Sequence, residues 1–407
     1  MQHRSHASAL PAQPFFSTPQ QRLALARQRY FEDGVRPSGL ISESVIQSWS
    51  RCVQARRDPV EQIAFDPVTP SRIHSALARS QLLLQAAATD LNQLEQALAG
   101  TACIAILTDP QGVVVHATRS PVEHQHALLP LARRVGVNLD EAHIGTGAPG
   151  VTLRTGQASL VLGAEHFFGH LQMLHCAAAP IRDASGHIAA VLDLTSEGQP
   201  FGFDAAALTA LYATTIENQL LRAQSGEHIV VHLQTSPALL GTPMEGLAGL
   251  DANGRIAWLN NAAARLLGVS QADAGRHAED VFGIALNRLA LLTRAANAAL
   301  HRLPSGLNVW IAARMQAHDG AGPLFQMQAL PVADAPAEPG ARPLPLPLPL
   351  PLPLPLPQGT LRDNDKHLIE RTVRACGGNV SKAARTLGVS RGLVYRHMKR
   401  VHPPQPA

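Results

Sequence analysis

The sequence is poor in lysine, cysteine and aromatic residues. Lysine occurs only at Lys366, Lys382 and Lys399 among 407 residues, four residues are cysteine, and 4% are aromatic. None of the three lysines follows a glycine. The Gly-Lys-Ser/Thr core of a phosphate-cradling P-loop is therefore missing, which excludes an ATP-hydrolysing motor of that type from this sequence.

The sequence also lacks the features of secreted and membrane proteins. Cys52, Cys103, Cys176 and Cys376 lie far apart and form no C-x-x-C pair, a distribution typical of a reduced cytosolic compartment. No apolar run of signal-peptide length follows Met1, and no stretch approaches the ~18 uncharged apolar residues that a membrane-spanning helix needs. We therefore expect a soluble, cytoplasmic protein without membrane contact.

Positive charge is concentrated at the C-terminus. From Gly359 onward there are ten Lys and Arg against three Asp and Glu, a net charge of +7, although the whole chain carries only +4. The remainder is therefore net −3. This distribution predicts that a polyanion binds the C-terminal segment.

The pattern from Asn379 to Arg400 predicts two short helices joined by a tight turn. Asn379 can cap the first helix, Gly388 can form the turn, and Ser390 can cap the second helix. Small residues Ala383 and Ala384 allow the two helices to cross closely. With a preceding helix over about 363–376, the segment reads as a three-helix unit whose last helix suits the DNA major groove.

Polar and cationic residues of these two helices are the candidate DNA contacts. We expect Arg391 and Arg396 to contact bases, and Lys382, Lys399 and Arg400 to contact phosphates. The full candidate set is Asn379, Ser381, Lys382, Ser390, Arg391, Gly392, Tyr395, Arg396, Lys399 and Arg400. The alternative is a small helical bundle with a solvated basic face, which we disfavour because the capping, turn and charge signals agree.

The stretch from Gly378 to Arg400 resembles the Fis-type helix-turn-helix that ends many bacterial enhancer-binding, sigma-54-dependent (NtrC-type) activators. The resemblance implies a bacterial DNA-binding regulator, associated with the nucleoid when bound.

Composition and pattern divide the chain into five segments. The fold class that we predict is a multidomain α+β/α architecture. The expected boundaries are a helical leader over 1–100, an α/β domain over 101–222, an α+β domain over 236–332, a Pro-Leu linker over 333–358 and the helix-turn-helix over 359–407.

The leader is predicted to be helical. Ser42 is a suitable cap for a helix whose Ile46, Trp49 and Val53 share one face. A longer helix is expected from about 71 to 98, with leucines recurring along it. It either leads into a sensor domain and pairs with a second copy in a dimer, or is an ordinary packed helix.

Residues 102–222 alternate between apolar runs and polar turns. Strand–turn–strand patterns occur at 103–116 and 176–194, another strand is predicted at 158–162, and a helix over about 205–222 closes the segment. The matching motifs at 145–150, 163–167, 176–183, 192–195 and 216–220, with the upstream 48–52, resemble the GAF sensor domain of acetoin- and glycerol-catabolism activators. The resemblance implies a small-molecule site, for which the candidates are Gly145, Thr146, Gly147, His166 and Cys176.

Histidines and a cysteine cluster within this segment. His166, His170, His175 and Cys176 have spacings compatible with metal or haem ligands, but we favour a role in covering a sensor pocket because strands and loops do not make such spacings converge. Cys176 is either a redox-reactive thiol or, as we prefer, a buried inert one.

Residues 237–332 form a second sensor-like unit. A hairpin around the Asp251–Gly254 turn followed by a helix resembles a PAS domain, with later strands expected at 307–314 and 324–330. No residue marks a haem or flavin site, which favours a structural or dimerising role.

Pro and Leu alternate from Pro343 to Pro357. Proline excludes helix and sheet there, and a polyproline II rod of this length spans about 45 Å at ~3.1 Å per residue. A spacer is favoured over a ligand for a Pro-binding module.

These observations predict a non-enzymatic, ligand-responsive transcription regulator without cofactor or metal. Its expected partners are double-stranded DNA, a small-molecule effector, a second copy of itself, and RNA polymerase or full-length relatives. The Pro-Leu linker lies where full-length relatives carry their ATPase, so we expect no ATP-driven remodelling of sigma-54 polymerase. The alternatives are a GAF-type thiol redox enzyme with an incidental basic tail and an architectural DNA-binding protein.

Overall fold

The computed structural model describes residues 18–119, 126–226, 228–270, 275–295, 297–315, 372–374, 376 and 379–387. It divides into two compact units, residues 1–328 and 329–407. The first unit holds two antiparallel sheets with their helices, and the second holds a helical segment.

Two helices begin the described chain. Helix α1 (Pro19–Arg27) is capped by Thr18 and continues into a π-helical turn, and α2 (Glu43–Gln54) is capped by Ser42 as the sequence predicts. The inward face of α2 is Val45, Ile46, Trp49 and Cys52. Val53, expected on that face, is 48% exposed, because the buried stripe runs through Cys52 instead.

The prediction of a single helix over 71–98 is wrong, because the structure has two helices there. Helix α3 (Pro70–Arg79) ends before Ser80, whose ψ of 4° lies outside the helical range, and α4 (Gln81–Leu98) starts after Ser80. The break changes which leucines face inward, so Leu83 is buried while Leu82 is 40% exposed.

The first sheet has five antiparallel strands in the order β2-β1-β5-β4-β3. Their bounds are β1 Ile104–Thr108, β2 Val114–Ala117, β3 Ser159–Leu162, β4 Leu174–Arg182 and β5 Ile188–Glu197. Both predicted strand–turn–strand units are present. The first turns at Gly112, whose φ of +83° favours glycine and whose N–H donates to the Asp109 carbonyl.

Each face of this sheet is covered by helices. On one face, Ala105 and Leu107 share a core with α4 and with α8 (Ala205–Ala223). On the other face, Ile104 and Ile106 share a core with α2 and with the short helices α5 (Leu129–Ala132), α6 (Glu141–Ile144) and α7 (Ala148–Thr155). Strand alternation therefore divides the residues between two cores.

The second sheet has the order β8-β7-β6-β10-β9. Its strands are β6 Ile229–Gln234, β7 Gly246–Leu250, β8 Ile256–Leu259, β9 Ala299–Arg302 and β10 Asn308–Met315, and its helices are α9 Asn261–Leu267, α10 Ala278–Phe282 and α11 Leu286–Leu292. The hairpin around Asp251–Gly254 and the strand near 307–314 match expectation. The sheet already begins with β6, before the expected boundary at 236, and the strand expected at 324–330 lies outside the described residues.

The C-terminal unit is described over two helical pieces. Residues 372–374 are helical, and α12 (Val380–Leu387) follows. The Lys382 N–H donates to Asn379 Oδ1 at 3.0 Å, so Asn379 caps α12 as the sequence predicts. Among the helices of the described ranges, none combines the length and apolarity required to cross a bilayer.

Candidate functional site

A row of polar side chains lies inside the core between the first sheet and α2. Cys176 on β4 pairs in register with Thr195 on β5, and Asp193 lies two residues before Thr195 on the same face. The Thr195 hydroxyl donates to Asp193 Oδ2 and lies 3.5 Å from Cys176 Sγ. All three residues are buried. Adjacent strands thus place three polar groups in an otherwise apolar layer.

His166 completes this row from a loop. Its Nδ1 lies 2.9 Å from the Gly163 carbonyl, which can only accept, so Nδ1 carries the proton. Nε2 then accepts, and Cys176 Sγ lies 3.5 Å from it. Burial lowers the pKa of His166 to about 4, so the imidazole is neutral at neutral pH. We call His166, Cys176, Asp193 and Thr195 the polar cluster.

Asp193 is the member with unused hydrogen-bonding capacity. Within the described residues its Oδ1 has no hydrogen-bond partner, although the residue is 1% exposed. Burial raises the pKa of Asp193 to about 7. Burial, followed by the Asp193 charge, raises the pKa of Cys176 well above its ordinary value. The Cys176 thiol is therefore protonated, unlike the thiolate that a redox-reactive cysteine needs.

The glycine-threonine motif predicted to contact ligand lies beside this cluster and against the leader. Gly145, with φ of +65°, ends α6, and Gly147 precedes α7. The buried Thr146 hydroxyl between them lies 2.7 Å from Ser48 Oγ of α2. Of the five predicted ligand residues, His166 and Cys176 contact each other, whereas Thr146 contacts α2.

Sequence reasoning missed Asp193 and Thr195 as site residues. Both stand in the Leu192–Thr195 motif, at buried positions of β5. Two polar residues at i and i+2 on a buried strand were the available signal.

The leader holds the loop that carries His166. The Arg27 guanidinium donates to the carbonyls of Ala164 at 3.0 Å, His166 at 2.8 Å and Phe167 at 3.2 Å. Trp49 Nε1 donates to the Glu165 carbonyl at 2.7 Å. We call these contacts the Arg27 clamp. They fasten residues 163–168 over the polar cluster from outside.

Charge pairing strengthens the attachment of α2. Arg51 donates to both carboxylate oxygens of Glu141 at the start of α6, at 2.6 and 2.7 Å. Glu141 is buried, so this bidentate pair joins the leader firmly to the helices over the cluster.

The two other histidines of the predicted group, His170 and His175, form no hydrogen bond with the polar cluster among the described residues. His170 Nε2 accepts from the Ile63 N–H at 3.1 Å, and His175 is half-buried. Over the part of the chain that the structure describes, no group of three or more His, Cys, Asp or Glu side chains is arranged to hold a metal ion.

The candidate DNA contacts fall partly on described residues. Asn379 caps α12, Ser381 is half-buried on it, and Lys382 is exposed in its first turn. Ser390, Arg391, Gly392, Tyr395, Arg396, Lys399 and Arg400 lie outside the described residues, and their roles stay predictions.

Two family models match the chain. Residues 18–212 match the MimR N-terminal domain, and residues 360–400 match the Fis family of bacterial regulatory proteins. The first match covers α1 to α7, the first part of α8 and the polar cluster. The second covers α12.

Several regulatory proteins are similar in sequence. The acetoin catabolism regulatory protein of Cupriavidus necator is 34% identical over 235 residues, 55% of this chain and 34% of that protein. The propane 2-monooxygenase operon transcriptional activator MimR of Mycolicibacterium goodii is 30% identical over 174 residues, 42% of this chain and 28% of that protein. The chain thus spans about a third of the length of these relatives. Among solved structures, the E. coli DhaR(N)–DhaL complex aligns with a TM-score of 0.42 and 17% identity, over 67% of this chain and 99% of that one.

Proposed function

We propose that this chain, which combines a MimR-type N-terminal domain with a Fis-family segment, is a transcription regulator that binds promoter DNA and responds to a small molecule. The DNA is contacted by the C-terminal segment, and the small molecule binds in the first α/β domain, which is GAF-like. The second sheet is PAS-like and has a structural or dimerising role.

The observation that carries the proposal is α12 in the Fis-family segment. Asn379 caps this helix and Lys382 is exposed at its start, within a segment, residues 359–407, in which cations outnumber anions ten to three. A positively charged helix start attracts phosphate. In this proposal Lys382, Lys399 and Arg400 contact phosphates, while Arg391 and Arg396 contact bases in the major groove.

Regulation requires that ligand binding changes how the DNA is held. A ligand that favours one arrangement of a dimer changes the spacing of its two recognition helices. In a symmetric dimer the half-sites lie near 34 Å apart, one turn of DNA. RNA polymerase and full-length relatives are the further partners that this proposal includes.

The chain acts without ATP-driven remodelling. No Gly-Lys dipeptide occurs in the 407 residues, so a P-loop cannot form from them. The protein then works by occupying DNA, as a repressor, as an activator that recruits polymerase, or as a competitor of full-length relatives.

The redox-enzyme alternative is disfavoured by the environment of Cys176. The thiol is buried, and its pKa is raised well above the ordinary value. The architectural alternative differs from our proposal in having neither site preference nor ligand dependence.

Genome-wide DNA occupancy of the full chain tests the proposal. We expect enrichment at discrete promoters, and loss of that enrichment when residues 359–407 are deleted. Uniform occupancy would support the architectural alternative. Catalytic turnover by the deleted chain, with no promoter enrichment by the full chain, would support the enzyme.

A further inference from the structure

A cavity of about 650 Å³ lies between α8 and α9, and we call it the α8–α9 cavity. One wall consists of β4, the turn between α7 and β3, and one side of α8. The other wall consists of α9 and Ser270, which belong with the second sheet. The polar cluster lies in the core on the opposite face of the first sheet, so this cavity is a separate space. Its volume is in the range of small-molecule sites.

Arg182 is held in place on the first wall. Its guanidinium donates to the Gly186 carbonyl at 3.0 Å and to the Gly156 carbonyl at 2.7 Å. Gly156 has φ of +67°, and a Cβ atom added to it would lie 3.1 Å from Arg182 Nη2, so a glycine leaves room for the guanidinium. Two carbonyls occupy only part of the five N–H donors of an arginine. Among the described residues no carboxylate forms an ion pair with Arg182.

Arg265 supplies a second cation from the opposite wall. It lies on α9, is exposed, and makes neither an ion pair nor a side-chain hydrogen bond within the described ranges. Arginine stays protonated at every physiological pH, so both residues are permanent cations. The cavity therefore has a fixed positive charge on each side.

Glu217 is the one acidic residue that lines the cavity. It is buried on α8, and its Oε2 accepts from the Arg182 backbone N–H at 2.8 Å. Burial raises the pKa of Glu217, which shifts the carboxyl toward its neutral form. Two cations and one such carboxyl leave the lining net positive, and exposed Gln157, Thr214 and Asn261 add neutral hydrogen-bonding groups.

Another cavity of the first unit has a different lining. It measures about 550 Å³ and lies beside the end of α4 and the start of α8. Its lining is mainly apolar and contains neither lysine nor arginine, and its one charged residue, Asp204, caps α8. Paired cations on facing walls therefore distinguish the α8–α9 cavity.

We propose that the α8–α9 cavity binds a small organic anion whose carboxylate or phosphate group pairs with Arg182 and Arg265. The planar donor set of arginine matches both kinds of oxyanion. Because the two arginines belong to different walls, the bound anion favours one arrangement of α8 relative to α9. This site is additional to the ligand site of the proposed function, and it does not depend on DNA binding.

Four probes that share an aromatic ring test the ligand class: benzoate, phenyl phosphate, benzyl alcohol and benzylammonium. Each is titrated into the full chain at constant ionic strength, and binding is followed by saturation-transfer NMR. We expect saturable binding of at least one anion, about tenfold or more tighter than that of the alcohol or the cation. The tighter of the two anions shows whether the site prefers carboxylate or phosphate.

Hydrogen exchange locates the bound probe. An anion between the two walls should slow amide exchange in both α8 and α9, because it stabilises their arrangement. Slower exchange confined to the helices over the polar cluster would place the probe in the other core and overturn the proposal.

Substitutions test the two features of the site separately. Arg265→Gln removes one cation that makes no described side-chain contact, and we expect it to weaken anion binding by about ten- to hundredfold. Thr214→Trp fills the cavity from an exposed position without a change in charge, and we expect it to abolish anion binding. Arg288→Gln is the matched control, because Arg288 is exposed on α11 and does not line the cavity.

The proposal stands if both cavity variants lose the anion and the Arg288 variant keeps it. Absence of saturable anion binding, equal affinity for benzyl alcohol, or equal loss in Arg288→Gln would overturn it. None of these measurements uses DNA, so their outcome is independent of the test of promoter occupancy.

Discussion

Arg222 in the last turn of α8 forms a salt bridge with Glu245, the residue immediately before β7. Glu245 is fully buried, and its other oxygen lies 3.0 Å from His232 Nδ1 on β6. Asn218 of the same helix accepts from Asn260 Nδ2 at 2.9 Å. The helix that closes the first sheet is therefore joined by polar contacts to the second sheet.

Removing the Glu245 carboxylate should weaken this junction. Burial alone would raise the pKa of Glu245, but the His232 hydrogen bond and the charges of His232 and Arg222 hold it below its ordinary value. Breaking a buried pair leaves charge without compensation, so we expect Glu245→Gln to lower the free energy of unfolding by about 3 kcal/mol. Urea denaturation measures this change. Glu61→Gln, which breaks the exposed Arg57–Glu61 pair, should change stability little.

The same pair predicts a pH dependence of stability. Because the folded-state pKa of Glu245 is depressed, the Glu245 carboxylate stabilises the folded state fully above the ordinary pKa of 4.5. This stabilisation is lost as pH falls through the folded-state pKa. Thermal unfolding of the wild type and of Glu245→Gln from pH 7 to pH 3 measures it. The difference in melting temperature between the two proteins should narrow toward low pH. A constant difference would contradict a stabilising role for the ionised Glu245.

Asp193 should have the opposite effect on stability. Its folded-state pKa is about 7 against an ordinary value of 3.8, so the folded state holds more protons between these values. Stability contributed by this group therefore falls as pH rises from about 4 to 7, and is flat above. We expect Asp193→Leu to raise the free energy of unfolding at pH 8 by about 1–3 kcal/mol. Paired thermal melts at pH 5 and pH 8 measure this, and a destabilised variant at pH 8 would show that the carboxylate is satisfied.

Arg27 should govern the loop over the cluster. Arg27→Ala removes three charge-assisted hydrogen bonds and the stacking of the guanidinium on Phe31 and Trp49. We expect the free energy of unfolding to fall by about 3 kcal/mol. We also expect faster amide hydrogen exchange confined to residues 163–168 and their surroundings. Arg22→Ala on the exposed face of the same helix is the control and should change neither. Unchanged exchange in Arg27→Ala would mean that the loop is held by its own packing.

Arg396 should determine sequence preference in DNA binding. Arg396→Ala is expected to cost about 1–3 kcal/mol on the preferred site and to relax base preference, because arginine pairs with guanine edges. Lys399→Ala should weaken binding to all duplexes and reduce the salt dependence. Fluorescence anisotropy on specific and random duplexes at several salt concentrations distinguishes the two. Equal loss on both duplexes for Arg396→Ala would contradict the role in base contact, and Arg72→Ala, in the leader, is the control.

The sequence by itself determined the local elements of this protein. Local elements depend on interactions within a few residues, so they can be predicted from the sequence. Examples are the caps Ser42 and Asn379, the Asp109–Gly112 turn and the alternation along β1 and β5. The sequence did not predict the break at Ser80. The apolar periodicity continues through this residue, although its backbone ψ lies outside the helical range.

Only the tertiary structure decided which residues work together. Cys176, Thr195 and His166 meet because two strands pair in one register and a loop folds back over them, and register is a property of the sheet. The carbonyl groups that Arg27 contacts lie 137 to 140 residues further along the chain, and Arg222 of α8 contacts Glu245 beside the second sheet. Such contacts depend on long-range packing, which local pattern does not encode.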